Sequence, residues 1–547
     1  MKSLNELNLV INTEDGYIIA NKPSGLNTHS SDIHLKGFVE WLEEKLETKL
    51  YTFQRLDKGT SGVILFALSS QSANFLTQQF KEQKVHKKYL FLTDKQISTQ
   101  KISIEGDIIK KGNQFILDDS KNNLQEQTKC CTHFTLIQSY KNFSLWEAHP
   151  ETGKPHQIRI HAQKANISIL GDIQHGGSPF IRLCLHCIST EISVLNIKGE
   201  AQPPAYFSNL ELLENLFYCT LETAWHQRSS SYNLNYNNQN CWRLLHSEIE
   251  NIKIDIFNHT AWVYDYTSDP NSKQSLNKKY KFDLSDKIVH STLLRFLKDK
   301  KIENYFIREM KNRGQLPLHA ELLQSSNSQQ VWTTIENGLN FEIRSNQGLS
   351  PGLFLDQREN RKFILKNAKD KSVLNLFSYT GGFSVAAAAG GAASVTTVDL
   401  SSNFIEWSKK NFQLNNFDVN NIHTKYKFWS ADARVFIEGS KKRNQIYNII
   451  VCDPPSFARV KNNIFKLESD LSELFYSLFE ILSENGILLF SCNFEKWNFA
   501  QFTEKCLQLI IKNKKKFQII NTPLLSLDYE LPDQASLLKT FIIKKLG

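Results

Sequence analysis

No apolar run in the sequence approaches the ~20 residues that span a bilayer, and the longest small-residue stretch, Val385 to Val395, is too short and too rich in alanine and glycine. A membrane segment is not expected. Met1 to Val10 is polar and mixed, without the basic-then-apolar order of a secretory signal, so a cytoplasmic location is expected. Cysteine is sparse, with nine scattered over 547 residues, and an odd, dispersed set suits a reducing compartment better than a disulfide framework. Zinc-type clusters are also missing. Cys184-Leu185-His186-Cys187 has ligand-like spacing, yet Cys130 and Cys131 are adjacent and offer no second pair. The alternation from Arg182 to His186 suggests a strand with core cysteines, and no metal is expected. There is no internal repeat.

What is present is ordinary globular composition, 41% apolar and 22% charged, with a formal net charge of +9. Disorder and fibre are excluded, the length allows roughly three to four domains, and the positive balance favours a polyanionic partner. From Asn12 to about Phe207, short β-branched segments such as 17–20 and 157–161 alternate with helical stretches at 38–50 and 73–83. A polar run of Ser, Tyr and Asn follows at 226–240, the best linker candidate. Residues 241–334 suggest strands at 252–257 and 260–266 and a helix at 290–298. After Asn337-Gly338 the pattern alternates β and α, which implies a doubly wound sheet with ligands at the strands' carboxyl ends.

Two constellations carry chemistry. Near the start, Asp57 in Arg55-Leu56-Asp57-Lys58-Gly59-Thr60-Ser61-Gly62 occupies a tight turn before an apolar strand. Such an aspartate is by itself usually a turn former; its company distinguishes it. Asn21-Lys22-Pro23-Ser24-Gly25-Leu26 precedes it, and Lys88-Tyr89-Leu90, Gly153-Lys154-Pro155-His156-Gln157-Ile158-Arg159-Ile160-His161, Gly171-Asp172 and Leu185-His186 follow. In this order the motifs resemble the RluA-type pseudouridine synthases. The resemblance implies that Asp57 acts at the ribose, that Arg159 pairs with it, and that Tyr89 stacks on a flipped base. It further implies that Arg55, His156 and Ile158 contact substrate, without any cofactor. Gln54 and Lys154-Pro155 depart from the family's usual His and Arg-Thr, leaving the three catalytic positions intact.

Near the end, Asn375-Leu376-Phe377-Ser378-Tyr379-Thr380-Gly381-Gly382 joins a strand end to a helix start, so that a ligand can approach the backbone. The full G-x-G-x-x-G fingerprint is lacking. Asp399 closes the next strand, where it can accept ribose hydroxyls or merely cap a helix; Asp432 can bond an adenine amino group. Asp453-Pro454-Pro455-Ser456-Phe457 forms a rigid loop after a further strand. These features in strand order point to S-adenosylmethionine. Together with Gly352-Leu353-Phe354-Leu355-Asp356-Gln357-Arg358-Glu359-Asn360-Arg361, the region resembles the RlmI/RlmK group of large-subunit ribosomal RNA methyltransferases, and 243–246 and 254–255 resemble its preceding small domain. The implied cofactor contacts are Asn375, Phe377, Tyr379, Gly381, Asp399, Asp432, Asp453, Asp356 and Arg358, with Pro454 and Phe457 at the target base.

The methyl acceptor stays open. Cytosine carbon 5 requires a thiolate at carbon 6, and Cys492 matches the cysteine of the cytosine-modifying branch; guanine nitrogen 7 requires only positioning, and the residues around Cys492 resemble that branch more. The expected architecture is multi-domain: an α+β pseudouridine synthase domain with antiparallel or mixed sheet (1–207), a linker (208–240), a small α+β middle domain (241–335), and a Rossmann-like α/β class I methyltransferase domain (336–547). The expected partner is RNA, most simply 23S ribosomal RNA or an assembling large subunit, modified twice. One half retained only for RNA binding, or a non-catalytic RNA-binding protein, are the alternatives.

Overall fold

A computed structural model describes residues 10–12, 16–30, 37–112, 114–118, 130–195, 197–231, 239–267, 280–310, 322–324, 329–347, 350–420, 425–460, 463–494, 496–513, 516–523, 525–526, 528–529 and 538–546. Residues 232–238 of the expected linker and residues 1–9 lie outside them. Among the described residues no helix is long and apolar enough to cross a membrane. The chain divides into two compact units: residues 1–234 with 247–252 and 272–300, and residues 235–246 and 253–271 with 301–547.

The first unit is built on a ten-stranded sheet. Its strands are β1 (Val10–Asn12), β2 (Tyr17–Lys22), β3 (Ser61–Ala67), β4 (Val85–Thr93), β5 (Lys101–Lys111), β6 (Gln114–Asp118), β7 (Cys130–Tyr140), β8 (Phe143–Pro150), β9 (Leu185–Ile192) and β10 (Ile197–Glu200). The order is β1-β2-β3-β9-β4-β8-β7-β5-β6, with β10 on β9. Among the described residues of this unit only β3 and β9 pair in parallel, and they approach so closely that a Cβ on Gly62 (φ 110°) would overlap the Cys187 carbonyl. Helices α1 (Phe38–Leu46), α2 (Ser70–Lys81), α3 (Gln157–Lys164), α4 (Leu216–Ser231) and α5 (Lys287–Asp299) complete the unit. Ser69 and Asp286 cap α2 and α5 with side-chain oxygens on the first free amides. The span expected to be linker thus contains α4, and Tyr218 on α4 donates to Asp299 at the end of α5.

One local expectation fails. Residues 157–161, taken for a β-branched strand, form the first turn and more of α3, with the Ile160 amide donating to the His156 carbonyl. His156 sits at φ 56° and turns the chain into the helix. Because residues 157–162 are buried on every side, the helix shows no polar face, and Ile158 and Ile160 mimic a period of two.

The second unit contains a five-stranded sheet of β11 (Cys241–Leu245), β12 (Ile252–Phe257), β13 (Thr260–Asp265), β14 (Asn304–Glu309) and β15 (Leu322–Gln324), and a hairpin of β16 (Val331–Glu336) with β17 (Leu339–Arg344). Beyond them lies the doubly wound sheet. Its strands β18 (Ser372–Leu376), β19 (Ser394–Asp399), β20 (Tyr426–Ser430) and β21 (Tyr447–Cys452) are parallel, as is the pairing of β21 with the long strand 482–492. The β-branched runs of β18 and β21 are almost wholly buried, as a sheet covered on both faces requires. Between β21 and the long strand is a second hairpin, β22 (Phe457–Val460) and β23 (Asn463–Lys466), which makes the long strand β24 (Leu482–Cys492). Antiparallel β25 (Phe517–Ile520) and β26 (Lys539–Lys545) finish the order β20-β19-β18-β21-β24-β26-β25. Helices α6 (Arg358–Asn367), α7 (Gly382–Ala389), α8 (Ser402–Leu414), α9 (Ala433–Lys442), α10 (Leu467–Ile481) and α11 (Phe499–Asn513) accompany it.

A buried charge network anchors α6. Arg358 Nη1 donates to both Asp528 oxygens at 3.0 and 3.1 Å and to Ser526 Oγ at 3.1 Å, while Nη2 donates to the Cys241 carbonyl at 2.9 Å. Arg361 makes a bidentate pair with Glu336 at 2.6 and 2.8 Å. All four charged side chains are at most 5% exposed, so removing one partner strands a charge without water. Asp528→Ala is accordingly expected to lower the unfolding free energy by ~3–5 kcal/mol, read as a shifted urea midpoint with an unchanged slope.

Candidate active sites

In the first unit, β3 begins just after the turn that carries Asp57. The Thr60 amide donates to the Asp57 carbonyl, and the Asp57 side chain remains 29% exposed. Arg159, on α3, divides its guanidinium between two carboxylates. Nε and Nη2 grip Asp172 with two 2.7 Å bonds, and Nη1 reaches Asp57 Oδ2 at 3.3 Å. Gln174 takes a further Nη2 bond at 3.2 Å. Asp172 therefore orients the arginine and the arginine orients Asp57, an arrangement possible because a guanidinium presents donors in a fixed plane.

Lys22, fully buried at the end of β2, donates to the carbonyls of Leu26, Pro23 and Lys58 at 2.6, 2.9 and 3.4 Å. It ties the loop after β2 to the residue following Asp57. Burial, with help from the Arg182 charge, lowers its pKa to about 7 against the opposing pull of Asp57. Tyr89 on β4 is 6% exposed, opposite Ala148 and Cys187 in the sheet register. Burial raises its phenol well above the usual value, with Cys187 and Asp57 adding to it. His156 contacts His175 (Nδ1 to Nε2, 3.1 Å) and Phe115, and burial depresses both imidazoles, His175 to about 4. Ile158 is buried and Arg55 exposed. Asp57, Arg159, Tyr89 and His156 thus lie in one neighbourhood. Asp172 and Lys22 were not named as site residues by the sequence reading, although both stand in motifs it singled out.

The cysteine pattern at 184–187 behaves as core. Cys184 and Cys187 are buried, and His186 is engaged by Ser61 through Nδ1 and by the Ala201 carbonyl through Nε2.

In the second unit, the loop after β18 is bent sharply: Phe377 and Tyr379 both have positive φ (54° and 49°), and Gly381 at φ 77° caps α7. A Cβ on Gly381 would overlap Ser408 Oγ. Asp399 closes β19 and accepts the Tyr379 amide at 2.8 Å and the Ser401 amide at 2.9 Å. The helix cap itself is Ser401, not Asp399. Burial raises the pKa of Asp399. Ser378 Oγ is buried in this bend with no hydrogen-bond partner among the described residues, an orphaned polar atom of the kind that a bound polar ligand satisfies.

Asp453, after β21, accepts from Ser491 Oγ and Gln357 Nε2, both at 2.8 Å. Burial raises its pKa to about 6 despite these two bonds, and the Asp356 charge adds to the rise. Asp356 itself is raised by burial. Gln357 and Ser491 are functional partners that the sequence reading missed; Gln357 lies inside the 352–361 segment and Ser491 directly precedes Cys492. Pro454 is buried, whereas Phe457 is 56% exposed at the head of its hairpin.

Other expected contacts hold different positions. Arg358 is turned into the Asp528 network and acts as a brace. Asn375 is buried and donates to Ser384 Oγ on α7 at 2.9 Å, a bond that ties β18 to the helix. Asp432 caps α9 through the Arg434 amide and pairs with the Arg434 side chain at 3.1 Å. Phe377 packs against Phe465. Cys492 is wholly buried in the core with Leu474, Phe502 and Cys506, and burial pushes its thiol to about 11. Ser491 faces Asp453, so the alternation of β24 turns Cys492 to the opposite side of the sheet.

Residues 16–164 match the family model described as RNA pseudouridylate synthase, and residues 310–502 match that described as S-adenosylmethionine-dependent methyltransferase. The ribosomal RNA large subunit methyltransferase K/L of Pseudoalteromonas translucida is 32% identical over 266 residues, 48% of this chain and 35% of that protein. The ribosomal RNA large subunit methyltransferase K of Neisseria meningitidis serogroup B is 41% identical over 160 residues, 29% of this chain and 44% of that protein. The chain thus spans less than half the length of these curated relatives. A methyltransferase crystal structure complexed with SAH is similar in fold, at TM-score 0.51 and 24% identity, covering 63% of this chain and 83% of that one.

The raised pKa of Asp453 fixes the sign of a pH effect. Its unfolded carboxyl ionises near its ordinary value of 3.8 and its folded one near 6, so ionisation opposes folding as pH rises through that window and the cost is constant above it. The stability of Asp453→Asn relative to the native protein is expected to improve from about pH 4 to about pH 6 and then level off, measured by urea unfolding across the range.

Proposed function

Because the chain joins an RNA pseudouridylate synthase domain to an S-adenosylmethionine-dependent methyltransferase domain, we propose that it is a bifunctional enzyme that isomerises uridine to pseudouridine and methylates guanine at nitrogen 7. The substrate in this reading is 23S ribosomal RNA or an assembling large subunit, supported by the RNA basis of the first family and by the names of the relatives. The domain limits proposed are 1–207, 241–335 and 336–547, and the proposed location is cytoplasmic.

The observation that carries the first activity is the Asp172–Arg159–Asp57 chain. Asp172 and Gln174 fix three bonds of the guanidinium and leave Nη1 to hold the partly exposed Asp57 carboxylate. A uridine flipped out of its stack presents its ribose to Asp57. There the carbon–nitrogen glycosidic bond breaks, the uracil turns, and carbon 5 rejoins the sugar with loss of the carbon 5 proton. Tyr89 and Ile158 supply the apolar wall against which the base turns. No redox step or cofactor enters this isomerisation.

For the second activity, S-adenosylmethionine supplies an electrophilic methyl group. Asp399 at the end of β19 suits the ribose hydroxyls, Asp356 and Asp453 the cationic end, and the bend at 377–381 offers backbone and the orphaned Ser378 hydroxyl. Gln357 and Ser491 orient Asp453, and Phe457 stacks on the acceptor base. Cys492 is buried, protonated and turned away, so a thiolate route to cytosine is disfavoured, whereas guanine nitrogen 7 is nucleophilic without activation.

Asp57→Ala should abolish tritium release from carbon-5-labelled uridine RNA while labelled methyl transfer persists, and Asp399→Ala should lower methyl transfer at least tenfold with tritium release intact. Cys492→Ser should retain methyl transfer within a few fold, with the product mapped as 7-methylguanine by mass spectrometry. Full tritium release by Asp57→Ala would refute the first assignment, and 5-methylcytosine formation lost with Cys492 would refute the second.

A further inference from the structure

We propose that Cys131, His133 and Glu151 form a binding site for one zinc ion at the base of the loop that leads into α3. Cys131 and His133 are two apart on β7 and therefore share a face of the sheet. Glu151 directly follows β8, the neighbouring strand of β7. The three ligand atoms lie within 4.8 Å of one another. His133 Nε2 is 3.6 Å from Cys131 Sγ and 2.9 Å from Glu151 Oε1.

These separations match a tetrahedral centre. With metal distances of about 2.3 Å to sulfur and about 2.0 Å to nitrogen and oxygen, the edges of a tetrahedron are about 3.5 Å for S···N and about 3.3 Å for N···O. The S···N separation differs from its tetrahedral edge by about 0.1 Å and the N···O separation by about 0.4 Å, and the third ligand pair lies within 4.8 Å. In the apo arrangement a proton lies between His133 and Glu151, and the ion takes its place. Ser103 Oγ lies 2.8 Å from His133 Nδ1, the outer partner that fixes a ligating imidazole with Nε2 directed at the metal. Glu105 stands opposite Cys131 in the β5–β7 register and so faces the same side, adding negative charge and a candidate fourth ligand. A mixed thiolate, imidazole and carboxylate set suits zinc better than the hard cations magnesium or calcium, which prefer all-oxygen shells. The expectation of no metal rested on sequence spacing, which cannot show that a glutamate beyond the next strand returns to a Cys-x-His pair.

The place has a consequence. The Glu151 amide and the Gln157 side chain both donate to the Cys131 carbonyl at 3.0 Å, so the site clamps both ends of the 151–157 loop, from which His156 turns the chain into the helix bearing Arg159. Zinc here orders that loop.

Full-length protein stripped with chelator and titrated with Co²⁺ should bind one equivalent with a thiolate-to-cobalt charge-transfer band. Zn²⁺ should displace the cobalt and raise the thermal midpoint. Cys131→Ser should abolish the band, and His133→Gln should weaken Co²⁺ binding at least tenfold and suppress the zinc-induced thermal shift. His133 is half exposed, so that variant folds even where Cys131→Ser fails to. The proposal is overturned if the native protein shows no thiolate band, or if His133→Gln binds Co²⁺ as tightly as the native protein does.

Discussion

The first unit turns on a single guanidinium. Arg159 is about one-tenth exposed and cannot be buried without compensation, since an unpaired internal charge costs several kcal/mol. Asp172, nearly inaccessible, provides that compensation with two short bonds. Everything nearby follows from satisfying this pair. Helix α3 must pack on all sides, the 171–182 loop must return Asp172 to the helix, and the turn before β3 must bring Asp57 to the remaining donor. Asp57 can stay at the solvent edge because its partner is already rigid.

The second unit holds its acids differently. Asp399 accepts from two backbone amides, and Asp453 accepts from a serine hydroxyl and a glutamine amide. Neutral donors orient a carboxylate without cancelling its charge. Burial then raises both pKa values, Asp453 to about 6, whereas Arg358 and Arg361 are bound to Asp528 and Glu336. In the proposed reading this is what a cationic nucleoside requires: acids already aimed, with their charge left for the ligand.

Much of this was legible in the sequence where chemistry and chain order coincide. The alternation after residue 337 gave the doubly wound sheet, and strand ends gave Asp399 and Asp453, because ligands of such sheets gather at carboxyl ends. Three things were not legible, each for a physical reason. Residues 157–162 of α3 are all buried, polar and apolar alike, so their pattern carries no amphipathic signature. Arg358 lies among residues that enclose the site, but its partner Asp528 is 170 positions away, and no local pattern announces such a pairing. Cys492 carries a matching motif, yet one step along β24 separates it from Ser491, and that parity decides which face of the sheet the side chain meets.

Parity also links the readings of Cys492 and Cys131. Both are buried strand cysteines whose thiols burial pushes to about 11, so neither is a free nucleophile at neutral pH. Their neighbours separate them. Cys492 lies in a core with Leu474, Phe502 and Cys506, where burial outweighs the opposing Lys539 charge and keeps the thiol protonated. Cys131 faces an imidazole and two carboxylates, which also resist a bare thiolate but become favourable once a divalent cation stands between them. The same direction of shift therefore goes with two settings, an apolar core for Cys492 and, in the proposed reading, a set of metal-ligating groups for Cys131, and only the neighbouring side chains distinguish the two.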